Sequence, residues 1–393
     1  MQCIQGSRIN VQALPSDFAH LKEKFMVYVI IVLVRIKHHI YPPLTNDRAT
    51  HHRALVISDA HLLGQRKRSL IDIVWTDFWL QKQFSFINSI FQPDLVLNIG
   101  DVLDEGKRAN KNQYNSYIAR TKAIFFRKSK TNSMKNVQSN IPIHIKSSAS
   151  SLLSTPTLPH YTVVGNHDIG WRYLNDLRLS TFERDHNSPN GFFQIGNLTF
   201  ARINSMALHP DAIKTPGGRN QRDEIDAMLA TGKHVDVLMT HQPLYRKNDL
   251  HCGIERMQDP KKGGVTFYSR QQQLIVDDDV VNQAYTQRIL DQWTPTNILS
   301  GHLHSVCRFK HNSKSNELTI PTFSWRMRPD PKYFLVTFQT DGNMQAKQCS
   351  LPHEHYFMAL IAIWIVVIVL LVVKMVCCAN AIKQVTVDPI KNL

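Results

Sequence analysis

Five short apolar runs in this chain each stop at a residue able to bind metal. "ALVIS" (54–58) leads into Asp59-Ala60-His61, and "DLVLNI" (94–99) into Gly100-Asp101. "YTVV" (161–164) leads into Gly165-Asn166-His167-Asp168, "VDVLMT" (235–240) into His241, and "TNILS" (296–300) into Gly301-His302-Leu303-His304. Runs of this kind, bounded by turn signals, are buried-strand candidates. Between the first two, Ser69 to Phe91 repeats Leu70, Ile73, Val74, Leu80, Phe84, Ile87 and Ile90 at roughly helical spacing. Strand, helix and strand in that order argue for a βαβ unit, a parallel sheet region and an α/β fold. In such sheets ligands gather beyond the carboxyl ends of strands. The polar residues at the five run ends therefore belong to one site.

Their chemistry suits two divalent ions sharing a bridge. Carboxylate and imidazole favour manganese, iron or zinc. Asp101 is the natural bridge, since one carboxylate can bind two ions. Asp59, His61, Asp101 and His304 would hold the first ion; Asp101, Asn166, His241 and His302 would hold the second. A glycine before a ligand lets the backbone turn sharply near the metals.

The ends of the chain point to a membrane. Tyr356 to Val373, "YFMALIAIWIVVIVLLVV", carries no charge and is about the length that crosses a hydrocarbon core. Lys374, Lys383 and Lys391 follow it, whereas "SLPHEHY" before it has no Lys or Arg. By the positive-inside rule residues 374–393 are a cytoplasmic tail and the body at 54–350 is lumenal or extracellular. Phe25 to Val34, "FMVYVIIVLV", follows a tail (1–24) containing Lys22 and Lys24 and reads as a signal anchor. A cleaved signal or a buried strand are the alternatives. Cys252, Cys307 and Cys349 fall on the lumenal side and any two of them can pair. Asn197-Leu198-Thr199 is a glycosylation triplet there. The formal charge is +15, but ten basic residues and no acidic one lie between Gly106 and His160. One segment thus holds most of the excess, and its second half is rich in Ser, Thr, Asn and Lys, so 128–160 reads as a flexible insertion and not as a nucleic-acid face.

The ordered set "DAH…GDVLD…GNHD…H…GHLH" resembles the calcineurin-like metallophosphoesterase superfamily over residues 54 to 310. The resemblance implies a four-layer αββα sandwich with two metal ions per subunit, most often manganese. It also implies a general acid, His167, with Asp104 holding and charging its imidazole; Asp168 is the alternative partner or a brace for the turn. "SDAHLLG" (58–64), "GDVLDEGK" (100–107), "GNHDIG" (165–170), "HQPLYR" (241–246) and "PTFSWRMR" (321–328) look like a membrane-bound branch that removes ethanolamine phosphate from glycosylphosphatidylinositol (GPI) anchors. That branch implies a GPI glycolipid substrate on lumenal proteins, cargo receptors as partners, and residence between endoplasmic reticulum exit sites and the cis-Golgi, supporting transport of GPI-anchored proteins. Arg246, Arg326 and Arg328 are candidate binders of substrate phosphates or sugar hydroxyls, guanidinium being suited to phosphate. Trp325 reads as a core tryptophan, with sugar stacking as the alternative. The sequence departs from the branch at the insertion and at its end, "DPIKNL", where Pro389 and Ile390 stand in place of a second retrieval lysine. Rival readings are an enzyme for another phospholipid, glycolipid or nucleotide, and a catalytically dead binding module.

Overall fold

All five runs form strands in the computed structural model, which describes residues 51–66, 68–126, 158–186, 188–253, 274 and 276–387. The chain divides into two units, Met1–Ala49 and Thr50–Leu393, and every described residue falls in the second. The expected anchor at 25–34 and all but the end of the 128–160 insertion lie outside the described residues.

β1 (His51–Ile57), α1 (Leu70–Phe91) and β2 (Leu95–Asn98) make the expected crossover, and β1 and β2 are parallel. Ser69 starts α1 by accepting from Asp72 N at 3.1 Å, an N-cap bond that satisfies one otherwise orphaned amide. After α2 (Lys111–Phe125), β3 (His160–Thr162) joins β2 in parallel. The chain returns from its far end to complete this sheet. β10 (Lys332–Gln339) pairs antiparallel with β1, and β11 (Met344–Ser350) with β10, giving the order β11-β10-β1-β2-β3.

The second sheet has the order β4-β5-β6-β7-β9-β8. Its parallel centre is β5 (Leu198–Ile203), β6 (Val237–Thr240), β7 (Asn297–Ser300) and β9 (Asn316–Thr319). β4 (Gly191–Ile195) and β8 (Cys307–Lys310) flank it antiparallel. One cluster, including Val56, Leu97 and Phe334 from the first sheet and Phe200, Met239 and Leu299 from the second, fills the space between the sheets. A second cluster joins Ala201, Leu238 and Ile298 to Ile169 of the short α3 (Asn166–Ile169), Phe182 of α4 (Asp176–His186), Leu229 of α5 (Pro216–Ala230) and Ile289 of α6 (Gln283–Gln292). Leu55 and Ile57 alternate onto the other pleat of the first sheet and are equally buried, so that face is covered too. The layers therefore run αββα.

Two expectations change. Leu70 and Val74 share a helical stripe with Ile73, Leu80, Phe84 and Ile87, yet both are exposed while the other four are buried. The apolar C-terminal stretch is a longer helix than 356–373: α7 runs Glu354–Val387, and Glu354–Ala379 is long and apolar enough to cross a membrane. Cys252 and Cys307 form a disulfide, and Cys349 is buried and free.

Candidate metal centre

The strand ends of both sheets meet at one edge. Ser58 bridges to Thr322, Leu62 to Leu103, and Gly301 N donates to His241 O at 2.8 Å. Five of the proposed ligands, Asp59, His61, Asp101, His302 and His304, have φ between 45° and 68°. Non-glycine residues rarely adopt this left-handed region, and each costs on the order of 1–2 kcal/mol. Strain gathered on one set of residues is held by the surrounding fold, and such strain collects at functional sites.

The glycines act in two different ways. Gly100 has φ 96°, and a Cβ there would also meet His241 Nδ1 at 2.5 Å. Gly165 has an ordinary φ of −114° but leaves no room, since a Cβ would lie 2.2 Å from Asp101 Oδ1. Space, and not the sharp turn expected from sequence, requires glycine at 165.

The donors form two groups that share Asp101. Asp59 Oδ2 accepts from Ser58 Oγ at 2.6 Å and from His302 N at 3.1 Å. Its Oδ1 is buried without a hydrogen-bond partner. That oxygen lies 3.7 Å from His61 Nε2 and 3.5 Å from His304 Nε2, and the two ring nitrogens are 3.2 Å apart. Asp101 Oδ1 accepts from His167 N at 2.7 Å, whereas Oδ2 stands 3.6 Å from His61 Nε2 and 3.4 Å from His241 Nε2. Asn166 Oδ1 is 3.2 Å from His241 Nε2, and His302 converges with Asp101 and His241. Ligand bonds of about 2.0–2.2 Å put neighbouring donors roughly 3 Å apart, so these spacings fit two ions.

Three of the four donor imidazoles meet a protein oxygen with their other nitrogen. His241 Nδ1 donates to Ile99 O at 2.8 Å, His302 Nε2 to Asp278 O at 3.0 Å, and His61 Nδ1 faces Asp104 Oδ1 at 3.4 Å. Such outer bonds fix the ring and the tautomer of a metal-binding histidine. The charges fit as well. Burial alone would lower both His61 and His241. The carboxylates of Asp104, Asp59 and Asp101 nonetheless raise His61 to about 10, and Asp101 and Asp59 raise His241 to about 9. The pocket draws positive charge, which divalent ions supply while displacing those protons.

His167 stands beside this centre, its ring 4.8 Å from that of His61. Asp104 serves it differently from expectation. The backbone carbonyl of Asp104 accepts from His167 Nδ1 at 2.7 Å, while the carboxylate is 3.8 Å from that nitrogen and nearer to His61. Asp168 is the brace: its oxygens accept from Leu103 N and Gly165 N, both at 2.9 Å.

The three arginines do not meet the donors. Arg246 is buried, its Nε donating to Asp249 at 2.7 Å and its Nη1 3.8 Å from Glu317. It is a core charge, not a substrate arm. Arg246→Met removes the guanidinium from the buried Asp249 and Glu317, of which Glu317 keeps His311 at 2.7 Å, and should destabilise the fold by about 3–5 kcal/mol. Thermal unfolding measures this, and KM of the folded variant should stay unchanged. Arg326 is engaged with Thr76 and Glu354, and Arg328 with Asp330, because carboxylates and a hydroxyl lie within their reach. Trp325 is half-buried and donates to Pro352 O at 2.8 Å. Asn197 sits exposed in the β4–β5 turn.

Sequence reasoning missed Ser58, Thr322, Asp278 and Trp171. Thr322 Oγ1 donates to Asp59 O at 2.7 Å, and the Trp171 ring lies edge-on to His302 at 5.2 Å. Thr322 was within reach, since "PTFSWRMR" stands out beyond the metal motifs. Asp278 acts through its backbone, which no side-chain pattern marks.

Metallophosphoesterase 1 of Ailuropoda melanoleuca is 26% identical over 355 residues, covering 86% of this chain and 81% of that protein. Metallophosphoesterase 1 of Danio rerio is 28% identical over 357 residues, covering 84% and 83%. A solved dimetal phosphatase from Danio rerio aligns with 77% of this chain and 99% of its own at 9% identity and a TM-score of 0.41. Residues 52–306, the stretch that carries all seven donor residues, match the calcineurin-like phosphoesterase family. By that match the chain belongs to this family of phosphoester hydrolases, which work with paired divalent metal ions.

Proposed function

We propose that the protein is a membrane-anchored phosphodiesterase that removes ethanolamine phosphate from the mannose of GPI anchors. The reading is carried by Asp101 Oδ2, which stands between two imidazole groups with His167 alongside. When bound, a pair of divalent ions, manganese by preference, supplies Lewis-acid stabilisation and lowers the pKa of water.

The chain's own residues do the rest. Asp59, His61, Asp101 and His304 would hold one ion and Asp101, Asn166, His241 and His302 the other. The Asp104 carbonyl fixes His167 through Nδ1. Nε2 is then the atom that delivers a proton to the departing sugar oxygen. Burial pushes the His167 imidazole below its ordinary value, while Asp101 pulls it up. An anionic phosphodiester beside the ring favours the protonated, active form. Trp171 offers an apolar wall at the second group, suited to a sugar face.

The GPI specificity rests on the likeness of residues 58–64, 100–107, 165–170, 241–246 and 321–328 to that branch. A lumenal body agrees with the Cys252–Cys307 disulfide, since such bonds persist in oxidising compartments. Residence between endoplasmic reticulum exit sites and the cis-Golgi, with transport receptors as partners, belongs to the same reading. The test uses full-length protein stripped with a chelator and reloaded with Mn, Fe or Zn in turn. Mass spectrometry of GPI glycans should show loss of ethanolamine phosphate, fastest with manganese. Intact GPI beside hydrolysis of another phosphodiester would replace the substrate and keep the enzyme.

A further inference from the structure

Helix α1 presents an apolar strip that no other described residue covers. Leu70, Ile71, Val74 and Phe78 are 73%, 81%, 59% and 45% exposed. With Trp75 they line one shallow hollow. The C-terminal helix begins beside it. Trp75 Nε1 donates to Glu354 Oε1 at 2.8 Å, and the Trp79 ring lies 4.0 Å from that of Phe357. Trp325 packs on both Trp79 and Phe357, and Arg326 pairs with Glu354.

We propose that this strip lies in the interfacial layer of the membrane that α7 enters, so that the body is held at two points. The strip runs into the apolar surface of α7 through a belt of Trp75, Trp79 and Trp325. Tryptophan favours the headgroup level, where one edge is dry and the other wet. Lys82 Nζ sits 5.4 Å from the Phe78 ring, so a cation tops the strip and its stem covers apolar surface. A polar carboxylate at the head of a span is costly, and here Arg326 neutralises Glu354 while Trp75 donates a hydrogen bond to it. Arg326 thereby acquires a role as a positioning residue of the anchor.

The consequence reaches the metal centre. Thr322 holds the backbone carbonyl of Asp59 and lies four residues before Arg326. Four residues span at most about 14 Å. The donors are thus tied by a short strap to the membrane contact, and the substrates that fit are phosphodiesters in headgroups close to the bilayer. The proposal rests on α7 crossing a membrane and not on the GPI headgroup.

The test uses the full chain in vesicles of phosphatidylcholine carrying bromine at chosen acyl depths. A bimane label is placed at Ile71→Cys, or at Leu370→Cys as a marker of the span, with the other unpaired cysteines changed to serine. Interfacial faces sink roughly 5–10 Å into the headgroup and acyl boundary. Bromines near the headgroup should therefore quench the Ile71 label more than bromines at the chain ends, and Leu370 should show the reverse. Adding Val74→Glu and Phe78→Glu should abolish quenching at Ile71 and leave it at Leu370. Quenching at Leu370 alone in the parent chain overturns the strip, and quenching at neither overturns the strip and the span together. Shielding of Ile71 that depends on the number of protein copies per vesicle, and not on bromine, would assign the strip to a second copy instead.

Discussion

Asp101→Asn should abolish hydrolysis and empty both halves of the metal centre. The reason lies in how the carboxylate is used. Oδ1 already accepts from His167 N, so an asparagine keeps its carbonyl oxygen there. Its NH2 group then replaces Oδ2 and points hydrogens at His61 and His241, where a lone pair is needed. The backbone bond survives, so the variant should fold. Losing several kcal/mol of charge stabilisation corresponds to a rate lower by on the order of 10³-fold or more. His241→Asn should behave differently, costing mainly the ion shared with Asn166 and His302. Elemental analysis of purified protein, set beside turnover of a phosphodiester, separates the two variants. Two retained ions and full activity in Asp101→Asn would overturn the shared bridge.

The donors were legible because each stands at the end of a short apolar run, where strand periodicity stops and turn chemistry starts. α1 was legible for a similar reason: Ser69 caps it and Ile73, Leu80, Phe84 and Ile87 repeat at helical spacing. The pairing of β10 with β1 was not legible. It joins Leu335 to Leu55, and no local pattern encodes a partner so distant in the chain. The left-handed backbone at Asp59, His61, Asp101, His302 and His304 was hidden for the opposite reason. Local preference opposes it, and only the assembled sheets impose it. Arg246 and Arg326 misled because a guanidinium near a site motif looks the same whether it meets substrate or a protein carboxylate. Asp104 misled less: its position was right, but its carbonyl and not its carboxylate holds His167. Leu70 and Val74 fitted the core stripe of α1 in sequence, yet they lie with Ile71 and Phe78 on the exposed side of the helix, while Ile73 and Thr76 beside them are buried.

His167→Asn should separate proton delivery from metal binding. His167 touches the centre through its backbone, which donates to Asp101 Oδ1, and its ring nitrogen Nδ1 is taken by the Asp104 carbonyl. Substituting the side chain leaves the backbone bond and all seven donor residues in place, so both ions should remain. A sugar alkoxide is a poor leaving group without a proton, and loss of a general acid typically costs about 10²–10⁴-fold. Hydrolysis of a natural diester should fall by that order. An activated aryl diester leaves as a stable phenolate and needs little help, so its rate should fall by less than about tenfold. The unequal loss is what identifies the acid, because damage to the metal centre would slow both substrates alike. The two measurements are metal content and the mutant-to-parent rate ratio on each substrate. Equal losses with both ions retained would mean that His167 orients the phosphate and that the proton comes from another group.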